Sequence, residues 1–431
     1  MTQPTAEAET DGSHARGISV LLILGALVAL GPLSTDAYVP GLPRLADDLS
    51  SSASMAQLTV TTCLIGLAVG QLLAGPMSDA LGRRRPLLIG VAVYAVAGFA
   101  CALAPNIWLL ILFRGVQGVG GAFALVIAYA CVRDRYTGNA AARYFSLLLL
   151  VTGLAPILAP LVGAQILSLS GWRAIFVALA ALSGAVLIAC VGWLPESLPR
   201  QSRQSGGLRA TGEVYVRLLK DRSLVGYALT NAFVFSAMFA YISGSPFVLE
   251  DLHGLSPRQY SIVFAVNALG LVAAAQASGR LVRHVEARLL LSVGAIGSAV
   301  GGVALFVFVT AGAGLWPLLA GFFVVVTSVG LVLPNAAALS LEHHGANAGA
   351  AAALLGFSQY LFGGLAAPLV GIHASNGALP TAVVIALLGV AATITLATLE
   401  RPAGTPTPNA SDDAGDDPGA DLPTFESSPA M

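Results

Sequence analysis

Two ionisable residues lie where water is scarce. Asp36 stands in LSTDAYVPGLP at the end of the first long apolar run, and Arg114 stands in LFRGVQGVGGA about two turns into the fourth. A charge inside a bilayer is costly, so an intramembrane acid or base marks a path for protons, ions or substrate. Odd-numbered runs lead one way and even-numbered runs the other, which puts both residues toward the same end. At about 1.5 Å per residue their depths differ little, and they are placed to pair. The protonation of such an acid depends on whether water or the arginine reaches it, as a proton-coupled carrier requires. The other reading of Asp36 is a cap or interfacial residue at a helix end.

The elements that must position these residues are helices. Of 431 residues 56% are hydrophobic and 10% are charged, whereas a soluble domain carries roughly 25% charged residues. Backbone groups in hydrocarbon must be satisfied internally, and the apolar runs have the length of spanning helices, not strands. The windows are 18–38, 55–76, 86–104, 108–131, 144–168, 171–193, 223–246, 258–281, 287–310, 315–336, 347–370 and 378–398. The predicted fold class is an all-α membrane protein with twelve transmembrane helices in two six-helix halves.

Basic residues fix the expected orientation, because they are retained on the cytoplasmic side. With the N-terminus inside, seventeen of the 21 Lys and Arg residues fall in inner segments. Only Arg44, Arg173 and Arg258 fall outside, and Arg114 is within a span. The expectation is a multi-pass protein of a bacterial inner membrane with both termini cytoplasmic and no cleaved leader. The predicted organisation is a tail over 1–17, one bundle over 18–194, a cytoplasmic linker over 195–222, a second bundle over 223–398 and a disordered acidic tail over 399–431. A weak repeat, QLLAGPMSDALGRRR from Gln71 and QASGRLVRH from Gln276, supports the two halves.

Several chemistries are excluded. The sole lysine, Lys220, follows no glycine-rich loop, so no phosphate cradle of the Walker type can form. Cys63, Cys101, Cys131 and Cys190 lack metal-site spacing and read as small core thiols. His343 and His344 read as a solvated pair, and GVQGVGG, inside an apolar run, allows close helix approach instead of binding a dinucleotide. No metal, cofactor or nucleic acid is expected. A polytopic membrane enzyme, the alternative class, would need convergent groups at one depth, and the spans offer only Asp36 and Arg114.

At this point the motifs carry a resemblance. GPMSDALGRRR from Gly75 is similar to the loop signature of the major facilitator superfamily, LFRGVQGVGGA to its fourth-helix motif, and APILAPLVGA from Ala155 to its fifth-helix antiporter motif around Pro156, Pro160 and Gly163. That last motif carries Ala155, Ala159 and Ala164 where the family usually has glycine. STDAYVPGLP, GWRAIF, LPESLP and ISGSPFVLEDLHGLSPRQY extend the resemblance to the bicyclomycin/chloramphenicol-resistance (Bcr/CflA) drug:proton antiporters, over residues 18–398. It implies a monomeric exporter of small, mostly apolar drugs in exchange for protons. The alternative within transport is a proton-coupled carrier of a metabolite.

Physical roles follow for the motif residues. Gly75 and Gly82 would permit a tight turn, while Asp79 would meet Arg133, Arg135 or the N-terminal dipole of the eleventh span and latch the inner face. Arg83 and its neighbours serve either gating or topology. Pro156 and Pro160 each remove a backbone donor, which favours a bend. Polar and aromatic residues within spans are the substrate candidates: Gln117 in the fourth; Asn231, Phe235 and Tyr241 in the seventh; Asn267 in the eighth; Asn335 in the tenth; Gln359 and Tyr360 in the eleventh. For each, helix-to-helix bonding is the competing reading.

Overall fold

The computed structural model describes residues 6–136, 138–203, 207–342, 344, 347–371 and 377–399. Expectations placed on residues 1–5, on His343 and on the tail from residue 400 lie outside the described residues. Among the described residues, twelve helices are long and apolar enough to cross a membrane, and there is no strand. Helix α1 (Ala6–Asp36), a 3-10 turn (Val39–Gly41) and α2 (Leu42–Asp48) supply the first span. Spans two to six are α3 (Ala53–Leu81), α4 (Arg84–Ala102), α5 (Ile107–Arg135), α6 (Gly138–Ser170) and α7 (Trp172–Trp193). The 195–222 linker contains a further helix, α8 (Gly207–Leu218). The seventh span is α9 (Arg222–Pro246) with a π-helical turn (Phe247–Leu252). The rest are α10 (Pro257–Leu281), α11 (Ala287–Thr310), α12 (Leu315–Glu342), α13 (Ala348–Ala366) and α14 (Leu379–Leu399).

Short polar residues start the spans. Ser52 accepts from the Met55 N–H, Asn106 from the Leu109 N–H and Asp221 from the Ser223 N–H, while Ser256 and Gln259 form a reciprocal capping box on α10. The hydropathy windows stop short of the helix ends on the side of the basic loops. There α3 continues to Leu81, α5 to Arg135 and α12 to Glu342, because backbone hydrogen bonding continues past the apolar stretch that hydropathy detects. Gly82 then turns the chain with φ 90°, as expected. Gly75 does not. It lies inside α3 with open space where a Cβ would stand, so the turn needs only the second glycine.

The same helix pairs touch in each half. α3 packs on α5 and α10 on α12; α4 packs on α5 and α7, α11 on α12 and α14. Small residues make the crossings. A Cβ on Gly118 would run into the Cys63 carbonyl and one on Gly66 into that of Gly115, while in the second half a Cβ on Gly330 would run into the Leu271 carbonyl. Lipid tails are as apolar as leucine, so such close backbone approach supplies the association that hydrophobicity cannot.

Buried apolar residues are distributed unequally between the two ends. At the end away from the basic loops, here the far end, one core joins both halves, from Tyr38, Leu42 and Phe176 to Tyr241, Phe264 and Phe322. At the basic end the cores are separate: Leu24 to Leu194 in the first half, with clusters around Val329 and Leu355 in the second. Among the described residues, two side-chain bonds also cross between the halves at the far end. Gln57 Nε2 donates to the Ser243 carbonyl and Ser261 Oγ to the Pro160 carbonyl, each at 3.1 Å. The molecule is therefore closed at its far end.

Two glycines of the quoted motifs should respond with opposite sign. Gly118→Leu should lower the detergent melting temperature strongly, because the α3–α5 crossing must separate, whereas Gly75→Ala should hold or raise it through helix propensity of up to about 1 kcal/mol. Equal losses from the two would contradict the crossing geometry.

Candidate functional site

Arg114 is wholly buried on α5. Its Nη1 donates to Gln117 Oε1 at 2.6 Å and its Nη2 to the Ser34 carbonyl on α1 at 2.9 Å. The guanidinium lies 4.6 Å from the ring centre of Tyr38 and 5.6 Å from that of Phe176, and the Tyr38 hydroxyl is bonded in turn to Thr59. Desolvated cation–π contacts of this kind are worth roughly 2 kcal/mol. The expected ion pair with Asp36 is not formed. Arg114 takes the Ser34 backbone carbonyl instead of the carboxylate two positions further on. It is 4% exposed, and its Oδ1 is buried with no hydrogen-bond partner.

Antiporter-motif residues reach the same place from α6. That helix runs through both Pro156 and Pro160 without terminating. One turn further on, Gly163 meets the backbone of Ala37, where a Cβ would overlap the carbonyl. The first span therefore breaks just after Asp36, between α5 on one side and α6 on another. Nothing in the spacing of Gly163 and Asp36 along the chain announces this contact.

The substrate candidates divide into separate groups. Asn231 donates to Gln359 Oε1 at 3.2 Å and keeps a buried Oδ1 without a partner, while Phe235 packs edge-on against Tyr360 at 5.5 Å; these four join α9 to α13. Asn267 donates to the Tyr241 hydroxyl at 2.7 Å, and Tyr241 lies in the same far-end core as Phe235. Asn335 donates to Ser278 at 2.7 Å and ties α12 to α10. Gln117 is committed to Arg114 and wholly buried. Only the first group combines an open acceptor with aromatic faces.

At the basic end the expected partners are corrected. Asp79 pairs with Arg83 at 2.5 Å, and Arg83 Nε continues to Asp134 at 2.8 Å, with Ser78 Oγ accepting from the same guanidinium. Arg133 and Arg135 flank Asp134 on α5, so they point about 100° to either side of it. Arg133 is exposed, and Arg135 donates to the Pro195 carbonyl at 2.5 Å. Asp134 is not among the residues expected from the motifs, although an acid between two bases at a helix end, VRDR, is a visible signal. Burial lowers the affinity of Arg83 for its proton, but Asp134 and Asp79 outweigh that and raise it.

A second residue outside the expectations is Glu196, in the quoted LPESLP. Its carboxylate accepts from the backbone N–H groups of Arg83, Arg84 and Leu198 and lies 3.7 Å from Arg203. The segment leaving α7 is thereby strapped across the turn between α3 and α4.

The comparisons with known proteins now bear on this arrangement. The profile of the Major Facilitator Superfamily matches residues 24–368. The chain belongs to that superfamily. An MFS-type transporter of Bacillus subtilis (strain 168), YdgK, is 39% identical over 83% of this chain and 89% of its own length. A bicyclomycin resistance protein homolog of Haemophilus influenzae is 29% identical over 84% of this chain and 90% of its own. A crystallised D-xylose-proton symporter has the same fold, with a TM-score of 0.72 at 18% identity over 89% of this chain and 98% of its own. The resemblance read from the motifs holds, and this major facilitator protein is a twelve-span membrane transporter, not an enzyme.

The strap gives a pH dependence. Burial alone would raise the Glu196 carboxyl, but the donors from Leu198, Arg83 and Arg84 and the charge of Arg203 outweigh it, so its pKa lies below the ordinary 4.5. A depressed value means that the contribution is complete above the unfolded-state pKa and is lost as pH falls through the folded-state one. A spin label at the exposed Gln201 should gain mobility when acidification below the ordinary carboxyl range protonates Glu196, and in Glu196→Gln at neutral pH. Unchanged mobility in the variant would remove the strap.

Proposed function

We propose that this transporter exports small, mostly apolar drugs of the bicyclomycin or chloramphenicol kind in exchange for protons, by alternating access. One observation carries the reading: a carboxyl on Asp36 buried with an oxygen left unpartnered, next to the residues that bind a wholly buried Arg114. A buried acid of this kind can exchange its proton only when the surrounding cavity admits water, which couples protonation to conformation. Asp36 is the proton site in this reading, and Arg114 is the fixed charge that holds the first span in place around it. The relative named for bicyclomycin resistance supports a drug as cargo.

Drug contact falls to the α9–α13 group. Asn231 offers an acceptor, and Phe235 and Tyr360 offer aromatic faces, a combination suited to weakly polar ring compounds and unsuited to phosphates. Gly82, Asp79, Arg83 and Asp134 hold the basic end of the first half as a rigid corner, with Arg133 and Arg135 on its surface. Pro156, Pro160 and Gly163 shape α6 against the break in the first span. The protein is placed in a bacterial inner membrane as a monomer, with the basic end and both termini in the cytoplasm; that orientation rests on the charge asymmetry of the loops. The far-end closure then describes an inward-facing state.

Asp36→Asn should abolish drug efflux driven by a proton gradient while drug binding to purified protein persists, because the amide imitates the neutral acid. Full gradient-driven efflux by the variant would move the proton site elsewhere. Reporter fusions after Arg209 should report cytoplasm and fusions near Asp251 the opposite side, and the reverse result would invert the inward-facing assignment without touching the proton site.

A further inference from the structure

Near the far end, where α6 of the first half meets α10 of the second, the surface opens into a crevice of about 360 Å³. Its walls are Leu161, Val162 and Gln165 from α6 and Arg258, Ser261 and Ile262 from α10. Val162 is 54% exposed and Ile262 53%, at positions within spans, so their apolar surface faces lipid. The floor carries the bond from Ser261 to the Pro160 carbonyl, one of the two that cross between the halves at this end.

Arg258 sets the crevice apart. Arg173 is engaged by the Trp172 ring at 4.2 Å and the Ala104 carbonyl, and the charge of Arg44 acts on Glu250. Arg258 is exposed in the first turn of α10 and has no acidic or hydrogen-bonding partner among the described residues. The N-terminal dipole of α10 adds to its positive field. An uncompensated cation at headgroup depth above an apolar slot matches one class of molecule.

We propose that the crevice binds one anionic phospholipid of the leaflet at the far end, with its phosphate on Arg258 and Gln165 and an acyl chain between Val162 and Ile262. Because the two walls belong to different halves, a lipid touching both is held only while they keep this spacing. Occupancy therefore favours the state closed at the far end. The site concerns neither cargo nor proton, and it stands whether or not the drug-export reading does.

The test is native mass spectrometry of the purified full chain, delipidated and titrated with phosphatidylglycerol and, separately, phosphatidylcholine of the same acyl chains. Wild type should retain one phosphatidylglycerol at activation energies that strip phosphatidylcholine, and Arg258→Gln should weaken that retention about fivefold, the size of one arginine at an anionic headgroup. Ile262→Trp and Val162→Trp, which fill the slot from opposite walls, should each remove the retained lipid while leaving monomer yield intact. Equal retention of the two lipids by wild type, or undiminished retention by Arg258→Gln, would overturn the proposal. So would retention by both tryptophan variants.

Discussion

A guanidinium wholly buried from solvent organises the first half. Arg114 cannot remain buried without ligands, and it takes them from three spans: the Ser34 carbonyl and Tyr38 ring from the first, Gln117 from its own helix and the Phe176 ring from the sixth. Breaking such a buried arrangement by removing one partner costs more than the bond itself, since the charge is left stranded. The position of the first span is thus fixed from one side. Gly163 of α6 fixes it from another by backbone contact at Ala37. Asp36 lies between the two points of attachment, and its unpartnered oxygen carries a desolvation cost of about 1–3 kcal/mol that a proton or a ligand atom would relieve.

The rest of each half depends on close backbone approach. Gly66, Gly118 and Gly330 remove the side chain where two helices cross, and the corresponding crossing appears in both halves at nearly equivalent places. This is stronger support for an internal repeat than the sequence pair from Gln71 and Gln276, which has lost its acid in the second copy. Packing geometry constrains the small residues and leaves the loop charges free to diverge. Hence the ion-pair corner around Arg83 exists in the first half, while the Asn335–Ser278 bond ties α12 to α10 in the second.

The sequence shows its spans clearly because hydropathy is an average over many residues, and all twelve begin within a few residues of where the windows put them. It shows candidate sites less well, because a buried polar side chain's partner depends on rotation about a helix. Asp36 lies two positions beyond Ser34, and Arg114 takes the Ser34 carbonyl in place of its carboxylate. Arg133 and Arg135 are the immediate neighbours of Asp134, and that single step along the helix reverses the sign of the group facing Arg83. Gly163 is visible through its motif, yet its contact with Ala37 spans more than a hundred residues and leaves no local trace. Asp134 is legible as an acid between two bases, but the sequence lacks the direction in which those bases point; Glu196 stands among prolines, serine and leucine, and its partners at Arg83 and Arg84 lie more than a hundred residues away.

Alternating access under the proposed function requires two ends of comparable strength, and here they are built from different materials. At the far end the halves share an apolar core and two neutral bonds, which contribute roughly 0.5–1.5 kcal/mol each. At the basic end, among the described residues, the ion pairs Arg83–Asp79 and Arg83–Asp134 lie within the first half and Arg203–Glu196 lies within the linker, while His344 of the second half stands 3.2 Å from Asp221 where the linker ends. They stiffen the halves without joining them. The difference between states is therefore carried mainly by the shared core, whose lower boundary in the first span is Ala37 and Tyr38, while Leu30 already belongs to the separate core of the first half. Asp36 stands at that boundary. A change of its charge alters the polarity of the place where the common core begins, so a single proton acts on the contact that distinguishes one state from the other.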